Sequence, residues 1–207
     1  MALKPGQFAT EIEAEDILEL CRNHEPESIF IEFKQTLFVK IPEENRKVID
    51  DQIDDTLADI VAFSNARGGH IIVGIEESGN RAEKLAPLTK DDAARIATII
   101  RDRAAVFIKP SVSQLQSASF PIDIDRDKWV VVVTIPPQRP VMSSFREQTR
   151  FAIRDGDRKR SMSSEEIREA FLENPRSNEI RDIYFEMKAL RSLIEQALQP
   201  KIGDEEP

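Results

Sequence analysis

Residues 60–77 read Ile60-Val61-Ala62-Phe63-Ser64-Asn65-Ala66-Arg67-Gly68-Gly69-His70-Ile71-Ile72-Val73-Gly74-Ile75-Glu76-Glu77, and this stretch decides the fold class. Upstream of it, Ile49, Ile53 and Leu57 lead into Ile60 and Val61 at helical intervals, which predicts a core-facing helix over 46–65. Arg67-Gly68-Gly69 ends that helix, because a glycine takes the left-handed conformation of a helix terminus without a side-chain penalty. The following HIIVGIEE is short, apolar and rich in β-branched residues, as expected of a buried strand, and ESGN after it is turn chemistry. A core helix that runs through two glycines into a buried strand requires both element types in one hydrophobic core, an α+β protein.

Upstream, Ile12, Ile17, Leu18 and Leu20 among acids predict a short amphipathic helix over 10–22 with Thr10 as its N-cap. After Pro26, the stretch ESIFIEFKQTLFV alternates, with Ile29, Ile31 and Phe33 on one face and Phe30, Glu32 and Lys34 on the other, which reads as a strand. Downstream, Thr89 with Asp91 and Asp92 opens a helix striped by Ile96, Ile99 and Ile100. Three further strands are expected in SVSQLQSASF, KWVVVVTIP and TRFAIRDG, which gives a mixed sheet of about five strands with packed helices. Ser163-Ser164-Glu165-Glu166 is a capping box for a short helix. Beyond Asn174-Pro175, Ile180, Ile183, Met187, Leu190, Ile194 and Ala197 form a heptad seam. A helix packed on its own domain explains that seam as well as a dimerisation or partner helix does. The expected organisation is an N-terminal helix over 1–24, a main domain over 25–174, a C-terminal helix over 175–199 and an acidic tail over 200–207.

Composition narrows the function classes. Apolar residues make up 40% and charged residues 32% of the 207, ordinary for a water-soluble globular chain. A formal charge of −9 argues against indiscriminate coating of nucleic acid, which relies on Lys and Arg neutralising phosphates. Any polyanion must meet a local basic patch. The single cysteine, Cys21, forms no internal disulfide, and neither a signal peptide nor a membrane span is evident, so the cytoplasm is the expected compartment.

Two constellations carry candidate chemistry. The first is the run of acids around the first strand and the end of the glycine-flanked one, for which a solvated surface carboxylate is the bland alternative in a chain with 38 acids. The second is the basic group Arg139, Arg146, Arg150, Arg154, Arg158, Lys159 and Arg160, able to contact phosphates of RNA or DNA, or else a solvated loop whose arginines pair with Asp155 and Asp157. The Gly68-Gly69 turn is neither a P-loop nor a dinucleotide fingerprint, and it follows a helix C-terminus, where the dipole repels phosphate. His24, His70 and Cys21 lack partners at catalytic or metal-ligand spacing, and Trp129 and Tyr184 are expected to pack rather than to stack on bases.

Taken in order, Glu27-Ser28, Glu32-Phe33-Lys34, Ala62-Phe63-Ser64-Asn65 with Gly68-Gly69, the GIEESG strand end, Arg139-Pro140, the strand over 150–156 and Ser163 to Ile167 resemble the Schlafen AlbA-like domain. The resemblance covers about residues 25–172. It implies a three-acid divalent-metal site, carried onto Glu27, Glu32 and Glu76, with Glu77 as the fallback for the third acid and Lys34 beside them. The family's usual residue at that third position is Asp. Mg2+ or Mn2+ is the implied cofactor, since such an ion neutralises a phosphodiester and lowers the pKa of an attacking water. Lys34 would stabilise the developing charge. The family's zinc ligands have no counterpart, so no structural zinc is expected.

Three functions follow as expectations. One is a metal-dependent endoribonuclease on tRNA or other structured RNA, which in this family suits bacterial stress or phage defence. Another is a non-catalytic module that binds DNA, RNA or a nucleotide such as ATP. The third is an interaction subunit or homo-oligomer assembled through 178–198.

Overall fold

The computed structural model describes residues 11–38 and 46–173. Compactness divides the chain into Met1–Ile167 and Arg168–Pro207. Thr10, Tyr184, the heptad seam and the acidic tail lie outside the described residues. None of the described helices is long and apolar enough to cross a membrane.

In chain order the elements are α1 (Ala14–Arg22), β1 (Ile31–Lys34), α2 (Arg46–Asn65), β2 (Gly69–Val73), β3 (Ile75–Glu77), β4 (Ala82–Leu85), α3 (Lys90–Phe107), β5 (Ile108–Lys109), β6 (Gln116–Asp123), β7 (Lys128–Ile135), β8 (Met142–Phe145), β9 (Gln148–Arg150), β10 (Ala152–Asp155), β11 (Arg158–Ser161) and α4 (Ser164–Glu173). The central mixed sheet has the order β1-β2-β7-β6, with β1 parallel to β2 and the other pairs antiparallel. The expected α+β class and mixed sheet are present; this sheet holds four strands, and the remaining ones form a three-stranded sheet β5-β8-β9 and the hairpins β3-β4 and β10-β11.

Both faces of the central sheet are covered. Ile71, Val73, Val131, Val133 and Ile135 share a core with Leu57, Ile60, Val61 and Phe63 of α2 and with Ile96 and Ile100 of α3. On the other face Ile31, Phe33, Ile72, Val130 and Val132 pack with Ile17 and Leu20 of α1. This alternation turns Glu32 and Lys34 of β1 toward the α2 side, as period two requires.

Three local results differ from expectation. Helix α1 begins at Ala14 rather than near residue 10, with Glu13 as its cap, whose amide donates to Asp16 Oδ2 at 2.9 Å. The strand expected over HIIVGIEE breaks at Gly74, whose φ of +115° suits glycine and whose added Cβ would lie 2.9 Å from Val130 Cγ1. The second half then folds back with β4 as a hairpin through the Ser78-Gly79-Asn80 turn. Strand β1 is shorter than the alternating run, because Glu27 to Phe30 form a bent lead-in.

Helix α2 spans 46–65 as its periodicity predicts, and its last two residues fasten the following segments. Asn65 is buried; its Nδ2 donates to the carbonyls of Val141 and Ala152 at 2.8 Å each, and its Oδ1 accepts the Val141 amide at 2.8 Å. Ser64 Oγ reaches the carbonyls of Pro136 and Gln138 at 3.2 Å. The Ser-Asn pair thus ties the proline-rich turn and β10 to the end of α2. Truncating Asn65 leaves three buried backbone groups unsatisfied, each costing about 1–3 kcal/mol. Asn65→Ala is expected to lower unfolding stability by about 3 kcal/mol, measured as the midpoint shift in urea at constant slope.

Candidate functional site

Glu32 and Lys34, two residues apart on β1, lie between α2 and the β10-β11 hairpin. Glu32 Oε2 accepts from Arg154 Nη1 at 2.7 Å, and its Oε1 lies 3.2 Å from Lys34 Nζ. Lys34 Nζ also meets Asp55 Oδ2 at 3.1 Å and Asp59 Oδ2 at 2.9 Å. From the hairpin, Lys159 Nζ meets Asp59 Oδ1 at 2.8 Å and pairs with Asp55. The result is a charge cluster of three acids and three bases.

The cluster is deep. The side chains of Asp59 and Arg154 are each 1% exposed. Arg154 donates from Nε to the Ser28 carbonyl at 3.1 Å and stacks over the Phe63 ring at 4.7 Å. Asp59 meets its two ammoniums, Lys34 and Lys159, at 2.9 and 2.8 Å, and these charge contacts offset the burial of its carboxylate. Burial works against the Lys34 ammonium, but Asp59, Asp55 and Glu32 together outweigh it and hold the group well above the ordinary lysine value. Burial likewise opposes the Asp55 carboxylate, and Lys34 and Lys159 overcome it and hold the carboxyl below its usual value.

Glu27 is brought back beside this cluster by the bend after Pro26. Its amide donates to the Asn80 carbonyl at 2.8 Å, and its Oε1 accepts the Phe33 amide at 3.0 Å. Burial pushes its carboxyl up from 4.5 to about 7, against the Phe33 amide and with the added repulsion of Glu32 and Glu77. The third acid felt at Glu27 is therefore Glu77, the fallback of the sequence reading. Glu76 turns elsewhere, to Lys84 Nζ at 3.2 Å and Gln35 Nε2 at 3.4 Å.

Among the described residues, no group of three or more His, Cys, Asp or Glu side chains is placed to hold a metal ion. The reason is visible in the partners: the Arg154 guanidinium takes one oxygen of Glu32, Lys34 lies against the other, and Glu76 points away. The expected trio does not fit a divalent ion in this arrangement.

The basic group is distributed differently from either expectation. Arg154 and Lys159 belong to the buried cluster. Arg146 pairs with Asp51 at 3.0 Å and Arg150 with Asp54 at 2.8 Å, both partners on α2. Arg160 forks onto Glu166 at 2.8 Å and reaches Asp155 at 3.2 Å. That fork and the Ser163 amide hold the Glu166 carboxyl at about 2. Arg139 donates to the Glu166 carbonyl at 3.3 Å. Arg158, with its side chain 84% exposed, lies 3.9 Å from Asp157. Asp155 and Asp157 were foreseen as partners; the α2 aspartates were missed. Their signal was present in Asp51, Asp55 and Asp59 at i, i+4 spacing, on a helix whose core stripe is Ile49, Ile53, Leu57 and Ile60. His70 is buried, with Nδ1 3.3 Å from Thr134 Oγ1, and Trp129 packs against the main core under Lys90.

The order of these elements agrees with a family model described as "Schlafen, AlbA_2", which matches residues 27–163. The chain belongs to the Schlafen AlbA_2 family. Membership points to a nucleic-acid-related function. No curated protein matches the chain. Among solved structures, the DIP2311 protein from Corynebacterium diphtheriae is similar at 15% identity and a TM-score of 0.46, over 75% of this chain and 30% of that one.

The Glu27 carboxyl links protonation to folding. The unfolded chain releases this proton near 4.5 and the folded one near 7, so stability falls as pH rises through that window and levels off above it. Replacing Glu27 by the neutral Gln, which still accepts the Phe33 amide, is expected to remove this slope. For a half-exposed group the gain at pH 8 is about 1 kcal/mol after solvent screening. Urea unfolding of Glu27→Gln and the parent at pH 5 and pH 8 measures the difference; parallel pH profiles would refute the assignment.

Proposed function

We propose that this Schlafen AlbA_2 chain is a nucleic-acid-binding module that holds RNA or DNA without cutting it. The supporting observation is that Glu32, one of the acids that would bind a catalytic ion, is already engaged by Arg154 and Lys34 in a closed cluster, while Glu76 is turned to the exposed Lys84. A carboxylate held in a buried ion pair loses that pairing when it turns to a metal, and breaking a buried pair costs about 3–5 kcal/mol. Here the acids and bases serve to fix β1, α2 and the β10-β11 hairpin as one rigid platform.

A second reading has its own support. The carboxyl of Glu27, raised to about 7 beside Glu32 and Glu77, is a perturbed acid of the kind that gathers at reactive sites. Under this reading the chain is an Mg2+- or Mn2+-dependent endoribonuclease acting on tRNA or another structured RNA.

One experiment separates the two. Purified protein is incubated with tRNA and with duplex DNA, in Mn2+ or in chelator, and both retention and strand length are followed. Retention of full-length nucleic acid in both media is the expected result. Shortening of RNA that requires Mn2+ and disappears in Glu27→Gln would replace the module by the nuclease.

A further inference from the structure

Four acids lie along one side of α2, Asp51, Asp54, Asp55 and Asp59, and besides Lys34 of β1 the cations that meet them come from segments much later in the chain. Arg146 in the β8-β9 turn meets Asp51, Arg150 at the end of β9 meets Asp54, and Lys159 of β11 meets Asp55 and Asp59. The pairs grade from open to closed. Arg146 and Asp51 are 48% and 58% exposed, while Asp59 is 1% exposed.

The two outer pairs have a different energetic character from the inner ones. Exposed ion pairs contribute about 0–1 kcal/mol, so a competing anion displaces one partner readily. The inner lysine is held by a buried aspartate and does not exchange so easily. Helix α2 itself cannot swing aside, because Leu57, Ile60, Val61 and Phe63 anchor it in the core. Its aspartates are therefore permanent neighbours of Arg146 and Arg150. Asp51 and Asp55 follow one another about 6 Å apart along the helix axis.

Resting on the nucleic-acid-binding reading, we infer that Arg146 and Arg150 form the contact for the phosphodiester backbone, and that Asp51 and Asp54 are built-in competitors occupying the places of phosphates. A backbone that docks there exchanges carboxylate for phosphate on each arginine and must tolerate the displaced aspartate beside it. Affinity is thereby held low and its salt dependence shallow, because each displaced carboxylate takes up a cation as each phosphate releases one, and this acidic chain escapes indiscriminate coating by polyanions.

The test is fluorescence anisotropy of labelled single-stranded RNA and duplex DNA between about 50 and 200 mM salt. Asp51→Asn/Asp54→Asn is expected to tighten binding about tenfold and to steepen the salt slope by about two released counterions. The control Asp91→Asn/Asp125→Asn carries the same change in net charge outside this row and is expected to alter affinity by less than about twofold. Adding Arg146→Gln/Arg150→Gln to the Asn pair is expected to abolish the gain, and thermal melts of each variant report that the fold is kept. Equal tightening by the control pair, or binding by the parent that the Asn pair leaves unchanged, overturns this inference and leaves the binding module standing. Absence of binding by the parent and every variant overturns both.

Discussion

The contact between Arg154 and Glu32 is the interaction on which the rest of the site depends. One guanidinium, closed off from solvent, bonds the Glu32 carboxylate, reaches the Ser28 carbonyl and covers the Phe63 ring. It thereby joins the lead-in to β1, β1 itself and α2 to a hairpin more than a hundred residues later. Removing either charge would strand the other away from water, which costs several times what an exposed pair is worth. Lys34, Lys159, Asp55 and Asp59 extend the same logic along α2. With alternating charges throughout, each buried ion has a counter-ion within about 3 Å.

This pairing explains why the acids singled out by the family resemblance are not gathered into a cation-binding group among the described residues. A divalent ion needs carboxylates whose charge is unspent. In this chain Glu32 is spent on two cations and Glu76 on a lysine across its own hairpin. At Glu27, burial first and the neighbouring Glu32 and Glu77 second hold the proton to near neutrality. The position is sensitive because it is half-buried: enough water is excluded to raise the carboxyl, and enough remains to let it titrate.

The helix over 46–65 was legible because its apolar residues recur at helical intervals with nothing to contradict them, and the capping box at Ser163 and the glycine stop were equally local signals. The face of β1 that carries Glu32 and Lys34 followed from strict alternation. What local pattern could not convey was pairing between distant segments. HIIVGIEE reads as one strand, whereas the positive φ of Gly74 ends it and redirects the chain into a hairpin whose second strand, AEKL, has no strand-like composition. That redirection decides which of Glu76 and Glu77 meets Glu27. The basic cluster was visible as a run of charge, but its partners on α2 lie about a hundred residues upstream, beyond the reach of periodicity. Ser64 and Asn65 were recognised as a family landmark; that they bind backbone emerged only from their contacts.

A residue with no side chain sets the strength of the whole charged network. A Cβ at Gly69 would come within 2.6 Å of both the Phe30 carbonyl and the Phe63 ring, the same ring that supports Arg154. The strand and helix that carry the opposite charges are thus as near to one another as main chain and aromatic ring permit. Any substituent there would act as a wedge, and a separation of a few tenths of an ångström would let solvent between ions that now meet directly. A neutral, featureless position thus keeps main chain and aromatic ring at the close approach on which those ion contacts are built.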